Sequence, residues 1–510
     1  MADTKREIER KYEATPDTRL PDLSRITPVA AVTDHGTTEL DAVYYDTPDL
    51  RLAAASLTLR RRTGGDDAGW HLKLPVAPGI RDEIRAPLSA TVPRALAALA
   101  RAHTRGAALV PVVRLRSTRR IHLLTDADGT PLAELSRDAV HAERLLLPDD
   151  GTTAPTAAWD EIEAELADGA DPALLDRIDK KLRKAGLRAG DFPSKLARAL
   201  AATGLAVPTP EEPAPPADAG GHILAYLREQ RDALLAHDPG VRRDLPDSVH
   251  QMRVATRRLR SAFRSYRRIL DRAVTDPVGE ELKWLAAELG VARDQEVLTA
   301  RLRGRIDALP RALVLGPVRG RLRIWTGSRG SGARRKALVT LDSRRYLALL
   351  DTLDALLADP PLLRAAARPA ATEFPRAMLK DHGRLAERVT AALERDPGPD
   401  RDLLLHDARK AAKRARYAGE AATPALGGPA KRFAKRMKAV QTVLGDHQDS
   451  VVARDALRTI GVQAHQAGES AFTWGLLYGQ EQRSAADRES ELPGVWEQAG
   501  TDEVRALLTG

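Results

Sequence analysis

Near its amino end the chain places two acidic side chains and one basic side chain at alternate positions. The stretch EIERK contains Glu7, Glu9 and Lys11. In a β-strand these three side chains would project from the same face. Carboxylates bind hard divalent cations such as Mg²⁺ and Mn²⁺, and ammonium groups bind phosphate. This face is therefore suited to holding a metal ion over a phosphate chain.

The same period of two recurs in four later segments of the first 200 residues. LTLRRR, WHLKLP and VVRLRS place basic side chains on one strand face, and DEIEAEL places glutamates on one face. The residues at these positions are Arg60, Arg62, Lys73, Arg114, Arg116, Glu161, Glu163 and Glu165. A solvated outer face explains one such strand. It does not explain five, because like charges at neighbouring positions on a solvent face repel each other.

A closed antiparallel barrel would turn the charged faces inward and leave the apolar faces outside to pack against helices. Its interior would be a polar tunnel, with carboxylates on one wall and Arg and Lys on the others. That arrangement suits metal-dependent hydrolysis of a phosphoanhydride, which needs neither a Ser-His-Asp nor a Cys-His arrangement.

Composition indicates an intracellular protein of several domains. The length of 510 residues is enough for about two to four domains. The absence of cysteine excludes disulfides and thiolate metal sites. The first residues are too polar for a signal peptide, and no apolar run approaches the ~20 residues of a membrane span. A cytoplasmic location is therefore expected.

Positive charge is concentrated in the second part of the chain. Residues 1–207 contain 30 Lys and Arg against 31 Asp and Glu, whereas residues 208–510 contain 50 against 40. This imbalance predicts a polyanionic partner for the second part. The stretch PTPEEPAPPADAGG, residues 208–221, contains five prolines and ends in Gly-Gly. It predicts an extended linker between a domain at 1–207 and a domain at 222–510.

Beyond the linker the apolar period becomes helical, and one unit is repeated. VHQMRVATRRLR and LLHDARKAAKRAR place a histidine and four basic residues at identical spacing, beginning at His250 and His406. LGVARD and LGDHQD follow, ending at Asp294 and Asp449, which lie 44 and 43 residues after the histidines. An internal duplication explains both repeats, so the sequence predicts an all-α bundle with internal duplication.

Each copy places its basic side chains along one helix face. At about 100° per residue, the side chains of His250, Arg253, Arg257, Arg260 and Arg264 fall within a sector of roughly 80°. The second copy repeats this stripe, and a third basic row follows at Lys431, Lys435 and Lys438. The stripes lack the interleaved carboxylates of an ion-paired solvated face. Two basic faces are therefore expected to converge on one cavity.

The first 200 residues resemble the CYTH family, also called the triphosphate tunnel metalloenzymes. EIERK matches the ExExK signature of that family, and YYDTPDLRL, LTLRRRTGGDDAGWHLKLP, RDEIR, AELSRDAV, WDEIEAEL and FPSKL follow in the expected order. The resemblance implies an eight-stranded antiparallel barrel with helices. Its tunnel would bind a triphosphate and one or two divalent metals, Mg²⁺ or Mn²⁺, and hydrolyse inorganic tripolyphosphate.

The CYTH resemblance also implies roles for individual residues. The metal-binding acids would be Glu7, Glu9, Glu161, Glu163 and Glu165. The catalytic residues would be Lys11, Glu161 and Glu163. The phosphate-binding residues would be Arg60, Arg62, Lys73, Arg81, Arg114, Arg116 and Lys195. Glu83, Glu134 and Asp138 match further acidic positions of the family.

Residues 220–500 resemble the CHAD domain, a conserved-histidine α-helical domain associated with inorganic polyphosphate. The motifs HxxRVxxRRLR and HDxRKxxKRxRY carry this resemblance, and His250 and His406 match the histidines of the domain's name. It implies association with polyphosphate, as a soluble ligand or in granules. The implied binding residues are His250, Arg253, Arg257, Arg260, Arg264, His406, Arg409, Lys410, Lys413, Arg416, Lys435 and Lys438.

Other functions stay open at this level. The tunnel could be inactive, which would make the chain a protein that binds polyphosphate or targets granules. The same tunnel chemistry could also act on nucleoside or thiamine triphosphates, or as an adenylyl cyclase. Nucleic-acid binding fits poorly, since bases are usually held by aromatic stacking and aromatic residues are 4% of the chain.

Overall fold

The computed structural model describes residues 3–147, 153–208 and 214–500. The chain divides into two compact units, Met1–Glu212 and Pro213–Gly510. The first unit is a β-barrel with helices and the second is helical, so the predicted α+β protein of two domains is confirmed. Within the described residues, no helix is long and apolar enough to cross a bilayer.

Eight antiparallel strands close the barrel in the order β1-β5-β4-β3-β2-β6-β7-β8. The strands are β1 (Asp3–Ala14), β2 (Ala31–Asp46), β3 (Thr58–Thr63), β4 (Gly69–Ala77), β5 (Ile80–Ala86), β6 (Val110–Thr125), β7 (Pro131–Arg144) and β8 (Thr156–Leu166). The helices of this unit are α1 (Arg51–Ala54), α2 (Arg94–Thr104), α3 (Ala173–Lys184) and α4 (Lys195–Ala202). The predicted eight-stranded barrel is therefore confirmed.

Apolar side chains on the outer strand faces pack against the helices. Leu59 and Leu72 cluster with Leu96 of α2. Ile162 and Ile178, on β8 and α3, belong to a second cluster. Burial of these side chains, at roughly 25 cal/mol for each Å² of apolar surface, holds the barrel closed with its charged faces inward.

At one end of the barrel the inward positions become apolar, and α4 packs there. Val140 and Ala142 continue the inward face of β7, and Leu115 belongs to β6. They form one buried cluster with Leu196 and Leu200 of α4. This packing brings Lys195, the first residue of α4, to the charged part of the interior.

The second unit consists of helices in its described part. These are α5 (Ala219–Arg243), α6 (Ser248–Ser265), α7 (Arg272–Glu288), α8 (Gly290–Asp307), α9 (Val318–Asp342), α10 (Arg344–Ala358), α11 (Ala370–Leu393), α12 (Pro399–Leu426), α13 (Gly428–Gln466) and α14 (Phe472–Gly500). Short 3₁₀ turns lie at Arg311–Leu313 and Arg364–Ala367. The predicted all-α class is confirmed.

The helices agree with the repeat found in the sequence. Helix α6 carries the first basic motif and α12 carries the second, 156 positions later. The same offset aligns α7 and α8 with the single long helix α13. The two motif helices pack together, since Arg258 binds Glu420 at 2.9 Å and the Tyr266 hydroxyl donates to the carbonyl of Ala418.

The linker was predicted over residues 208–221, but the first helix of the second unit begins before residue 221. Residues 209–213 lie outside the described residues, but α5 begins at Ala219 and includes the Gly-Gly pair. Asp218 caps this helix by accepting a hydrogen bond from the Gly221 amide at 2.8 Å. A Cβ atom on Gly220 would lie 2.9 Å from the Cβ of Ala366. Close packing therefore favours glycine here, although glycine lowers helix propensity.

The YYDTPD motif holds the turn after β2. The carboxylate of Asp46 is buried and accepts hydrogen bonds from the amides of Thr47, Leu52 and Ala53 at 2.7 to 2.8 Å. Burial raises the pKa of Asp46, although these amide donors oppose the rise. This residue therefore organises the entry to α1.

We predict that Asp46→Ala lowers the free energy of unfolding of the barrel by about 3 kcal/mol, because three buried amides lose their acceptor. Asp49→Ala is the matched control. Asp49 is exposed and pairs with Arg51, so its loss should change stability by less than ~0.5 kcal/mol. Urea denaturation followed by circular dichroism measures both values, and equal effects would contradict the assigned role of Asp46.

Candidate functional site

Inward-facing carboxylates concentrate on three neighbouring strands of the barrel, β7, β8 and β1. The register places Glu134 beside Glu165 and Asp138 beside Glu161. On the other side of β8, Glu9 pairs with Glu165 and Lys11 pairs with Glu163. We call these carboxylates the acidic wall: Glu7, Glu9, Glu134, Asp138, Glu161, Glu163 and Glu165.

Inward-facing cations concentrate on the other strands. We call these side chains the basic wall: Arg60, Arg62, Lys73, Arg81, Arg85 and Arg119. Two carboxylates, Asp67 and Glu83, lie among them. Asp67 pairs with Arg62 and lies 4.0 Å from Arg85. Glu83 binds His71 at 2.8 Å and lies 3.8 Å from Lys73 and 3.7 Å from Arg60. The cations of this wall exceed the acids that it contains.

The two walls enclose a cavity of about 150 Å³. Glu7, Glu9 and Arg62 are buried although they are charged groups. Lys5 and Tyr44 also line the cavity. Burial in a medium of low dielectric strengthens the interaction of each charge with a ligand in the cavity.

Lys195 lies among the carboxylates of the acidic wall. Its Nζ is 2.9 Å from Asp138 and 2.6 Å from Glu161, and it also pairs with Glu163. Burial lowers the pKa of Lys195, but the three carboxylates outweigh burial and the net pKa is raised. Ser194 fixes this position by capping α4 through the Ala197 amide.

Glu163 is the most strongly paired acid of the wall. Lys11, Lys195 and Arg119 all bind it. Burial raises the pKa of Glu163, but these cations outweigh burial and hold its pKa well below the ordinary value. Glu163 is therefore ionised throughout the physiological range.

Three carboxylates of the acidic wall are close enough to share a cation. Oxygen atoms of Asp138, Glu161 and Glu163 lie within 4.8 Å of one another. An all-oxygen donor set suits Mg²⁺ or Mn²⁺ rather than a thiophilic metal. The donors therefore fit the divalent ion that the sequence predicts. Glu163 lines the cavity, whereas Asp138 and Glu161 pair with Lys195, which lines it. The other predicted ligands, Glu7, Glu9 and Glu165, also line the cavity.

The basic wall carries unbalanced positive charge. Burial and the neighbouring Arg60 and Arg119 lower the pKa of Arg62 to about 9. Burial raises the pKa of Tyr44, but Arg60, whose Nη1 lies 3.4 Å from the Tyr44 hydroxyl, helps to shift it below its ordinary value. Burial lowers the pKa of His71 to about 4, so this histidine is neutral beside Glu83. An anion in the cavity would relieve this crowding of cations.

Arg114 and Arg116 were predicted to bind phosphate, but the structure places them outside the cavity. Arg119 lines the cavity and was not predicted. The side chains of Arg114 and Arg116 lie on the outer face of β6, where they pair with Asp41 and Glu143. Arg119 lies on the inner face, 2.7 Å from Asp138 and 3.0 Å from Glu163. The segment VVRLRS is the start of a strand of 16 residues, and odd-numbered side chains face inward along it. Extending the alternation of inward and outward side chains along the whole of β6 would have identified Arg119 as an inward-facing residue.

In the helical unit the repeated motifs make equivalent contacts. Arg253 binds Asp294 at 2.8 Å, and Arg409 lies 3.6 Å from Asp449. Each aspartate ends the second repeated signature. A Cβ atom on Gly290 would lie 3.0 Å from Arg253 Nη2, so glycine in LGVARD leaves room for the guanidinium.

The two basic stripes converge. Burial and the neighbouring cations Arg409 and Arg257 lower the pKa of Lys413 to about 7, and Arg253 contributes to this shift. Arg253 and Arg257 belong to α6, whereas Lys413 and Arg409 belong to α12. Within the described residues, the buried Nε atoms of Arg257 and Arg409 have no hydrogen-bond partner. This group of cations is therefore open to an anion.

The remaining residues predicted to bind polyphosphate are more dispersed. His250 and His406 are half-buried on the two motif helices. Lys410 is exposed and pairs with Asp407, and Arg416 pairs with Glu420. Lys435 and Lys438 are exposed on α13, and Arg260 and Arg264 line a separate pocket beyond the point where the stripes converge.

Comparison with known proteins matches both units. A CYTH domain model matches residues 5–200, and a CHAD domain model matches residues 225–458. The Mycobacterium tuberculosis protein named "Uncharacterized protein Rv2226" is 42% identical over 490 residues, which cover 93% of this chain and 92% of that protein.

More distant similarities cover one unit or less. Thiamine-triphosphatase of Macaca fascicularis is 40% identical over 74 residues, which cover 14% of this chain and 29% of that protein. The crystal structure of the CHAD domain from the plant Ricinus communis is 28% identical with a TM-score of 0.36. It covers 57% of this chain and 89% of that chain.

We predict that Arg119→Ala weakens binding of tripolyphosphate at least ~10-fold, because a half-buried guanidinium facing the cavity is lost. Arg114→Ala, a change of the same kind on the outer face of the same strand, should alter the dissociation constant less than ~2-fold. Isothermal titration calorimetry with tripolyphosphate and a metal chelator measures both constants. A larger effect of Arg114→Ala would show that the cavity is not the binding site.

Proposed function

Because the chain belongs to the proteins with a CYTH domain, here at residues 5–200, followed by a CHAD domain, here at residues 225–458, we propose functions for both units. The barrel is a triphosphatase-type tunnel domain, and its proposed reaction is metal-dependent hydrolysis of inorganic tripolyphosphate. The proposed function of the helical unit is binding of inorganic polyphosphate. The observation that carries the first proposal is a buried cavity with carboxylates on one wall and cations on the other.

The basic wall would bind and orient the triphosphate. Guanidinium groups bind phosphate through two parallel hydrogen bonds, and Arg60, Arg62 and Arg119 present such groups from two strands. Lys73 and Lys11 add ammonium donors. In an enclosed site these cations stabilise the charge that develops on phosphate oxygens as the bridging bond breaks.

Asp138, Glu161 and Glu163 would hold a divalent ion, together with other carboxylates of the acidic wall. The ion would neutralise charge on the phosphate chain and lower the pKa of a bound water. The carboxylates of the wall would also accept hydrogen bonds from the attacking water and orient it in line with the leaving phosphate. Lys195 and Lys11 keep Glu163 ionised and therefore ready to serve as a ligand.

Thiamine triphosphate is a second candidate substrate. The observation in its favour is the similarity of 74 residues to a protein named thiamine-triphosphatase. Inorganic tripolyphosphate remains the first candidate because the described lining of the cavity is mostly charged, with Tyr44 as its aromatic side chain and the hydroxyl of Tyr44 3.4 Å from Arg60.

We predict that Glu163→Gln lowers turnover of tripolyphosphate at least ~100-fold, because the change keeps the shape and removes a ligand charge. Glu143→Gln, on the outer face of β7, is the control and should retain turnover. Phosphate release is measured from tripolyphosphate, thiamine triphosphate, ATP and long polyphosphate with Mg²⁺ or Mn²⁺. Normal turnover by Glu163→Gln would refute the assigned role, and no release from any substrate would favour a protein that only binds.

The helical unit is proposed to bind polyphosphate through the converging stripes. Its positive excess, the cations around Lys413 and the scarcity of aromatic side chains all favour a polyanion without bases. Each phosphate of such a chain carries charge, so several cations bind one molecule. Association with polyphosphate granules in the cytoplasm would follow from this affinity.

We predict that affinity for long polyphosphate falls roughly 10-fold between pH 7 and pH 9. The pKa of Lys413 is about 7 in the free protein, and a bound polyanion raises it, so binding takes up a proton that is scarce at high pH. Lys413→Arg keeps the charge at all these pH values and should flatten the profile. Titrations with polyphosphate and with single-stranded RNA at matched salt test this, and equal affinity for both would count against a polyphosphate site.

A further inference from the structure

A second cationic pocket lies between α6, α7, α11 and α12. Its volume is about 470 Å³, within the range of roughly 300 to 1,000 Å³ that is typical of ligand sites. Six arginines line it: Arg260, Arg264, Arg267, Arg272, Arg384 and Arg414. Two carboxylates, Asp276 and Glu280, complete the charged lining.

The nearby acids do not balance these arginines. Asp276 pairs with Arg272 at 2.6 Å, and Glu280 pairs with Lys283 at 2.8 Å and lies 3.6 Å from Arg264. The buried carboxylate of Asp381 binds both Arg384 and Arg414. In the part of the chain that the structure describes, Arg260 and Arg267 have no ion pair. The pocket therefore holds more positive than negative charge.

The lowered pKa values of two arginines in the pocket, Arg260 and Arg414, also reflect an excess of neighbouring cations. Burial lowers the pKa of Arg260, and Arg264 and Arg257 lower it further. Burial also lowers the pKa of Arg414, and Arg384 contributes although Asp381 opposes it. Cations that repel one another in a partly buried pocket form a prearranged anion site, because a bound anion removes the repulsion.

The chemistry of the lining indicates phosphate. Several guanidinium groups on different helices can each bind a phosphate through two hydrogen bonds. Phe263 is the aromatic side chain of the lining, and the buried hydroxyl of Thr275 donates to the carbonyl of Asp271. A nucleic acid would need stacking surfaces for successive bases, which this lining does not supply.

Two residues of the basic stripe of α6, Arg260 and Arg264, line the pocket. Arg257, which lies with Lys413 where the stripes converge, is close enough to Arg260 to lower its pKa. From Arg253 to Arg264 the helix rises about 16 Å, at 1.5 Å per residue. One extended polyanion can therefore contact both regions.

We propose that the arginine pocket is a second polyphosphate subsite, which binds a further segment of the chain held by the converging stripes. This inference rests on the proposed function of the helical unit. Arg267, Arg272 and Arg384, which the repeated motifs do not include, become binding residues. Long chains bind both regions at once, so the pocket contributes to affinity for long polyphosphate.

The test measures the dissociation constant of the full-length protein for long-chain polyphosphate, with a chelator present, at several salt concentrations. The pocket variants are Arg267→Gln and the double variant Arg260→Gln with Arg267→Gln. Neither change leaves a carboxylate without its cation. The reference variant is Arg257→Gln at the converging stripes. The control is Arg319→Gln, an exposed arginine of α9 that pairs with Asp307.

The double variant is expected to bind roughly 10-fold more weakly and to show a shallower dependence of affinity on salt, by analogy with counterion release from nucleic acids. Arg319→Gln should bind as the unchanged protein does. If Arg257→Gln weakens binding and neither pocket variant does, the subsite is wrong and the proposed function stands. If no variant weakens binding, both the subsite and the assignment of polyphosphate to the converging stripes are wrong. If the unchanged protein does not bind polyphosphate, the proposed function itself is wrong. Thermal melting checks that each variant is folded. If the double variant is destabilised, the dissociation constant of the single variant Arg267→Gln decides the test.

Discussion

The barrel depends on compensation between buried charges of opposite sign. A buried ion without a partner is strongly destabilising, so carboxylates and cations can occupy the interior together only if each contacts the other. Lys195 meets this requirement for Asp138, Glu161 and Glu163 at once, and Lys73 pairs with Glu7 at 2.6 Å. The same network surrounds the cavity, whose acidic and basic linings are the surfaces that the proposed divalent cation and phosphate chain would contact.

Alternation along the strands separates that network from the apolar layer. Because successive side chains point to opposite faces, each strand supplies charge to the interior and apolar surface to the helices outside. Ile162 lies in the apolar layer, between Glu161 and Glu163 on the acidic wall. Closure of the sheet then brings β8 beside β1 and places Glu9 opposite Glu165, which is 156 residues away in the sequence.

The helical unit handles charge differently. Its deeply buried acids are matched, as where Glu481 binds both Arg301 and Arg305. The cations around Lys413 and in the arginine pocket are not matched to the same degree. Burial, together with repulsion from neighbouring cations, lowers the pKa values of Lys413, Arg260 and Arg414. Stability is thus supplied by paired networks elsewhere in the unit, which allows these two regions to stay cationic and available to a polyanion.

The sequence by itself determined five strands of alternating charge, β1, β3, β4, β6 and β8, and the repeated helical unit, because these follow from local periodicity. It placed Glu7, Glu9 and Lys11 on one face, and the structure agrees. Only the tertiary structure decided which face of β6 turns inward, since parity can be assigned only when the whole strand and its neighbours are known. Because the inward face could not be assigned from the sequence, Arg114 and Arg116 were predicted at the cavity, whereas the structure places Arg119 there. The arginine pocket likewise joins residues of four helices whose proximity depends on packing and leaves no periodic signal.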